Sequence, residues 1–182
     1  MTDLHQLLID RRSIRKYKDE PLDPDAVKTI LEAGLLSPTG KNARAWHFIA
    51  VDDRDTLAAL SRCKRAGALP VAKSALTICV CVDITASETW IEDGSIAAAY
   101  MMLQARDLGI GSCWIEVNGR LVEDGTPAEE VVSEILGLPE QIQPLCLVSL
   151  GLPDEERKPQ NTEKLLWERV HIGKFNPGQC VG

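Results

Sequence analysis

The chain lacks the signals of several common protein classes. No apolar stretch is long enough to cross a membrane, and the run from Ala75 to Val82 has only the length of a β-strand. The start, MTDLHQLLID, has neither a basic opening nor a long apolar run, so no secretory leader is expected. The three histidines, His5, His47 and His171, lie far apart with no second ligand at short spacing, which gives a metal site no local support. There is no G-x-S-x-G elbow, and the six cysteines, at 63, 79, 81, 113, 146 and 180, form no C-x-x-C. Cys79 and Cys81 sit inside an apolar run. The cysteines are read as reduced core thiols of a cytoplasmic protein, because buried free cysteine behaves as a small hydrophobe. No internal repeat, low-complexity tract or interdomain linker interrupts the sequence.

Positive charge is also scarce. Twenty Lys and Arg against 27 Asp and Glu leave a formal net charge of −7. A nucleic-acid backbone would be repelled overall, so a nucleic-acid partner is not expected. Against that background the cluster Arg11, Arg12, Arg15, Lys16 and Lys18 stands out as an island for a small anion. Two phosphate-binding motifs fail on inspection. Gly109-Ile110-Gly111-Ser112-Cys113-Trp114 lacks a third glycine, and it leaves a helix to enter a strand, the reverse of a dinucleotide fingerprint. Gly34 to Asn42 is one residue too long for a P-loop and has Asn42 where a magnesium-binding hydroxyl belongs.

What is present reads as a folded chain. With 182 residues, 45% apolar and 26% charged, it suits one compact α/β or α+β domain spanning 1–182. A short helix is expected over Asp3 to Asp10, docking Leu4, Leu7, Leu8 and Ile9. Asp23 and Pro24 start a second helix that stops before Ser37-Pro38-Thr39-Gly40. Strands are expected at Trp46–Val51, Leu76–Val82, Ser112–Val117 and Leu145–Leu150, the second buried on both faces. Asp55 to Leu60 reads as helical. The helix from about Ile91 to Leu108 is apolar most of the way round, which points to a surface met by another subunit. Thr126-Pro127-Ala128-Glu129 reads as a capping box opening a helix closed by Gly137. Thr162 to His171 reads as a final short helix. The four tryptophans, Trp46, Trp90, Trp114 and Trp167, are read as core first and pocket lining second.

Two stretches carry chemistry. In Arg11-Arg12-Ser13-Ile14-Arg15, three rigid, permanently charged guanidinium forks and a hydroxyl fall within five residues, a donor set suited to phosphate oxygens. In Ser37-Pro38-Thr39-Gly40-Lys41-Asn42-Ala43-Arg44-Ala45-Trp46, polar donors lie close to a tryptophan, a mixture that suits a flat heteroaromatic ligand.

In sum the chain resembles the nitroreductase family of flavin mononucleotide (FMN) enzymes. Four signals occur in the family's order: R-R-S-x-R at Arg11, Arg12, Ser13 and Arg15; S-P-T-x-x-N with a following tryptophan at Ser37, Pro38, Thr39, Asn42 and Trp46; a helix with Asp93 and Ala97 running into Leu108-Gly109-Ile110-Gly111-Ser112-Cys113-Trp114-Ile115; and Leu136-Gly137-Leu138-Pro139-Glu140 followed by a strand, Gly151-x-Pro153 and Lys158-Pro159. Arg44 and Ala45 depart from the family's Gln-Pro before the tryptophan.

The resemblance implies an α+β fold, a central, mostly antiparallel sheet flanked by helices, in a homodimer with FMN at the interface. It implies that Arg11, Ser13 and Arg15, with Arg12 beside them, hold the cofactor, and that Arg157 or Lys158, with Lys164 as competitor, completes the phosphate site. Pro38, Thr39 and Asn42 would come from the partner chain. Ile115, Glu116 and Val117 would offer a backbone N–H to flavin N5, and Arg65 or Lys64 would sit near the pyrimidine end. The implied activity is ping-pong transfer of two electrons from NADH or NADPH to an electron-poor acceptor such as a nitroaromatic or quinone. No side chain is singled out as a catalytic acid. The alternatives are dehalogenation or flavin fragmentation on the same fold, or a flavin- or anion-binding dimer without catalysis.

Overall fold

The computed structural model describes residues 3–175. Cys180 and the end of the tail lie outside the described residues. Four strands, β1 (Trp46–Val51), β2 (Leu76–Asp83), β3 (Gly111–Glu116) and β4 (Ile142–Gly151), form a sheet in the order β1-β2-β4-β3, with every neighbouring pair antiparallel. Among the described residues, five α-helices form: α1 (Leu4–Asp10), α2 (Pro24–Leu35), α3 (Arg54–Leu60), α4 (Trp90–Asp107) and α5 (Ala128–Leu136). The expected α+β architecture is what forms.

The layering follows from the alternation of side chains along a strand. On β2, Ile78 and Val80 face one way and join Ile30 of α2, Ala97 and Met101 of α4, and Leu145 and Val148 of β4. Cys79 and Cys81 face the other way and join Leu57 and Leu60 of α3, Val132 of α5, and Ile115 and Leu147. With a helical layer on each face, residues 76–82 are all buried, as their unbroken apolar run requires. Among the described residues, five cysteines are free and buried. Gly94 lets α4 lie close on the sheet, since a Cβ there would fall 2.6 Å from Leu145 Cδ2.

Four expectations are corrected. On α1, Leu4 and Leu8 stay exposed, because no element among the described residues covers that face. α4, whose apolar residues point to burial on most sides, buries one stripe (Asp93, Gly94, Ala97, Ala98, Met101, Met102 and Ala105), while Ile91, Tyr100 and Leu108 remain exposed within this chain. The capping box does not form: α5 begins at Ala128 with no side-chain cap, and the Glu129 carboxylate instead accepts the Gly119 N–H. The final helix is replaced by two 3-10 turns, Thr162–Lys164 and Trp167–Arg169, on an exposed arm. So short a segment with no surface to pack on does not sustain an α-helix. Trp46, Trp90 and Trp114 pack against the core, whereas Trp167 is exposed.

Candidate functional site

The basic segment 11–18 crosses the end of the sheet where β3 begins and β4 ends. Ser13 forms a parallel bridge to Ser112, and the Ile14 N–H donates to the Ser112 carbonyl at 2.9 Å. Lys18 N–H donates to Leu152 O, and Asp154 N–H to Lys16 O, each at 2.9 Å. The Tyr17 hydroxyl is buried between the Ile14 carbonyl (2.6 Å) and Ser149 Oγ (2.9 Å). Burial drives its pKa well above the ordinary value. The paired glycines Gly111 and Gly151 make room for this crossing, because a Cβ on either would stand 2.8 Å from Ile14 or Tyr17.

Between this segment and residues 153–159 lies a cavity of about 310 Å³, lined by Arg11, Arg12, Ser112, Glu155 and Arg157 among others. Arg12 donates to the Lys158 carbonyl and is held in place by it. Among the described residues, neither Arg11 nor Arg15 forms an ion pair. Unpaired guanidinium groups, a serine and a cavity beside a basic strand edge fit a phosphate monoester. Arg157 lines the cavity and pairs with Glu155 at 2.8 Å. Lys158 contributes its carbonyl, and Lys164 stands on the exposed arm outside the cavity lining.

The outer edge of β3 extends this site. Ser112 directs its carbonyl outward to Ile14, so the two-residue alternation of an antiparallel strand turns the peptide groups of Trp114 and Glu116 outward as well. Ile115 faces β4, and the Val117 N–H donates to Leu145 O at 3.2 Å. Of the three residues expected at this edge, Glu116 is thus the one whose N–H is open to a ligand.

Near the same edge, Cys113 feels the charges of both Arg15 and Lys64, although burial is the larger influence and raises its thiol pKa. Lys64 is half-buried; burial lowers its ammonium pKa, and Arg120, Glu116 and Cys113 act on it too. Arg65, by contrast, is exposed and paired with Glu123 at 3.6 Å. Of the two, it is Lys64 rather than Arg65 that acts on Cys113 and Glu116 at the β3 edge.

The second polar stretch lies elsewhere. Pro38, Thr39 and Asn42 belong to the loop entering β1, at the opposite edge and opposite end of the sheet from Ser112. Three strand spacings, about 14 Å, separate the two edges. Lys41, Asn42 and Arg44 all have positive φ, between 50° and 55°. Such backbone needs external support, and Asp93 supplies it. This buried carboxylate accepts Gly40 N–H (2.8 Å), Ser87 Oγ (2.7 Å) and Thr89 Oγ1 (3.3 Å). Arg44 Nε donates to Asn42 Oδ1 at 3.0 Å, so the unusual arginine braces the loop from within. The anchoring roles of Asp93 and Glu155 were not read from the sequence. Asp93 showed only as part of a spaced pattern, and Glu155 was not singled out at all.

A model of the Nitroreductase family matches residues 8–83 and 85–152. A protein of Archaeoglobus fulgidus, named as a candidate NADH dehydrogenase/NAD(P)H nitroreductase, is 36% identical over 96% of this chain and 100% of its own length. An NADPH-dependent oxidoreductase of Staphylococcus aureus is 25% identical over 95% of this chain and 74% of its own. Among solved structures, an FMN-dependent nitroreductase from Clostridium difficile superposes with a TM-score of 0.90 at 42% identity, covering 93% of this chain and 98% of that one.

Proposed function

The chain belongs to the nitroreductase family, and from that premise we propose that it is a single-domain, FMN-dependent oxidoreductase that draws electrons from NADH or NADPH and reduces an electron-poor small molecule. The observation that carries the reading is the basic segment on the rim of β3, where Arg11, without an ion-pair partner among the described residues, lines the cavity with Arg12 and Arg157, and Ser13 and Arg15 follow along the same edge beside Cys113. The dependence of the Clostridium difficile relative on FMN, at 42% identity, supports the choice of cofactor. The names of the relatives support a nicotinamide donor.

Bound FMN supplies reversible hydride chemistry at its N5 atom. The protein's part is to bind and tune. Arg11, Arg12, Ser13 and Arg157 hold the phosphate. Arg15 joins them at the phosphate from the same segment and reaches on toward the ring edge. The open N–H of Glu116 serves N5 as a hydrogen-bond donor, in place of Ile115 and Val117. Lys64 sets a positive charge at the pyrimidine end, where it favours reduction. Its burial makes that charge count for more than an exposed arginine's would.

The protein works as a homodimer in this reading. Pro38, Thr39 and Asn42 stand at the opposite edge of the sheet from Ser13, so one chain does not bring both sets to one cofactor, while a second copy does. The exposed apolar groups on α1 (Leu4, Leu8), on α4 (Ile91, Tyr100) and on the arm (Leu165, Leu166) are the surface such a partner covers.

The test is the visible spectrum of the purified protein with FMN. Reduced nicotinamide should bleach the bound flavin, and a nitroaromatic or a quinone should restore the colour. A flavin that stays oxidised with both nicotinamides, or a protein that takes up no FMN, would sink the proposal.

A further inference from the structure

Glu155 occupies a position that the binding residues alone do not explain. It follows Gly151-x-Pro153 at the end of β4, and its side chain is 13% exposed. One carboxylate oxygen, Oε1, accepts the backbone N–H groups of Arg15 at 2.6 Å and of Lys16 at 3.2 Å. The other, Oε2, pairs with Arg157 Nη2 at 2.8 Å. Both oxygens are therefore engaged, and each ties down a different part of the proposed cofactor site.

The local chain geometry shows what this accomplishes. Segment 11–18 is fastened to the sheet at Ile14, through Ser112 O, and at Lys18, through Leu152 O. Between these points the N–H groups of Arg15 and Lys16 have Glu155 as their acceptor. An unfastened peptide there would let the Arg15 side chain wander. Arg157 lies on a stretch with no regular secondary structure and is 45% exposed, so it too needs a partner to stay at the cavity. A guanidinium has five N–H donors, so the bond to Glu155 leaves others for a phosphate.

We propose that Glu155 is a positioning residue: resting on the FMN reading above, it brackets the phosphate site by holding the Arg15 peptide with one oxygen and the Arg157 guanidinium with the other. The opposite role is chemically available, since a carboxylate beside an anion site repels the anion and competes for its arginines. The two roles predict opposite signs. A bracket loses FMN affinity when removed; a competitor gains it.

The experiment compares FMN with riboflavin, which has the same ring and no phosphate, by fluorescence titration of the flavin-free protein. In Glu155→Ala, FMN affinity should fall about tenfold or more, since Arg157 is part-exposed and its pair is partly screened. Riboflavin affinity should fall much less. Glu155→Gln keeps the shape and one acceptor but loses the charge, so it should lie between the two and serves as the variant should alanine fail to fold. Equal losses for both flavins would mean a merely structural role and overturn the proposal, as would unchanged or tighter FMN binding. A wild-type protein that binds neither flavin would instead overturn the FMN reading on which the bracket rests.

Discussion

Ile14 lies against Gly111 so closely that a Cβ at position 111 would stand 2.8 Å from Ile14 Cγ2 and 2.9 Å from Ile14 Cβ. Ile14 Cβ is not the free end of a flexible side chain, so the basic segment itself would have to shift. Gly111→Ala should destabilise the fold by about 1–3 kcal/mol through overpacking. It should also weaken FMN binding, because the displaced segment carries Ser13 and Arg15. Urea unfolding and a flavin titration check the two effects, and a variant with unaltered values for both would contradict this account of the crossing.

Replacing Arg11 and Arg15 together by alanine should leave a folded protein whose FMN affinity is lower by about a hundredfold or more. Neither side chain is part of the core, so the circular dichroism spectrum should match the wild type. Full retention of FMN by the double variant would place the phosphate elsewhere.

Asp93→Ala should be costly for a different reason. It leaves the Gly40 N–H and the Ser87 and Thr89 hydroxyls without their buried acceptor, a loss of about 3 kcal/mol by equilibrium unfolding. The loop of Pro38, Thr39 and Asn42 should loosen with it and become sensitive to protease near Lys41. A stable variant with a resistant loop would refute the anchoring role.

The pH dependence of stability has a defined sign at Glu155. Its carboxyl lies below the ordinary 4.5, first because of the Arg15 N–H, with Arg157 and the Lys16 N–H adding to the effect. Arg15, Lys16, Arg157, Tyr17 and Cys113 lie around it, and Asp10, Arg11, Arg12, Arg106 and Glu156 share the cavity it lines. A depressed carboxyl contributes stability above its unfolded value, and the contribution is lost as pH falls through the folded value. The difference in stability between wild type and Glu155→Gln should therefore hold steady from neutrality down to about pH 5 and shrink below it. A difference that vanishes near neutrality would show that another group is responsible.

The five described cysteines should be inert in the native protein. Burial is the main influence raising Cys63, Cys113 and Cys146; Cys79 is raised first by its contact with Cys81, 3.4 Å away, and then by burial. In a Cys180→Ser background, a disulfide thiol reagent should titrate no thiol before denaturation and five after it. Rapid native reaction of any of them would show that its surroundings open.

Local order was largely legible from the chain itself. Asp23 before Pro24, Gly109 and Gly137 at positive φ after α4 and α5, and the alternation along β2 are near-neighbour effects, and they mark helix ends and strands without reference to the rest of the molecule. The basic segment was legible too, since five close residues define a donor set wherever they fold.

Partnerships across the fold were not legible. That Lys64 acts on Cys113 and Glu116 depends on how the chain after α3 packs beside β3, and the pairing of Arg65 depends on Glu123 arriving beside it. The open N–H of Glu116 depends on which way the β3 ladder faces. Glu155 meets Arg15 across 140 positions of sequence, and Asp93 meets Gly40 across 53. The sequence by itself determined the four strands, the start of α2 at Asp23-Pro24 and the clustering of positive charge in one segment, because local sterics and composition control those. Only the tertiary structure decided which carboxylate holds which segment, because a hydrogen bond depends on distance and angle, and the packed sheet alone sets both.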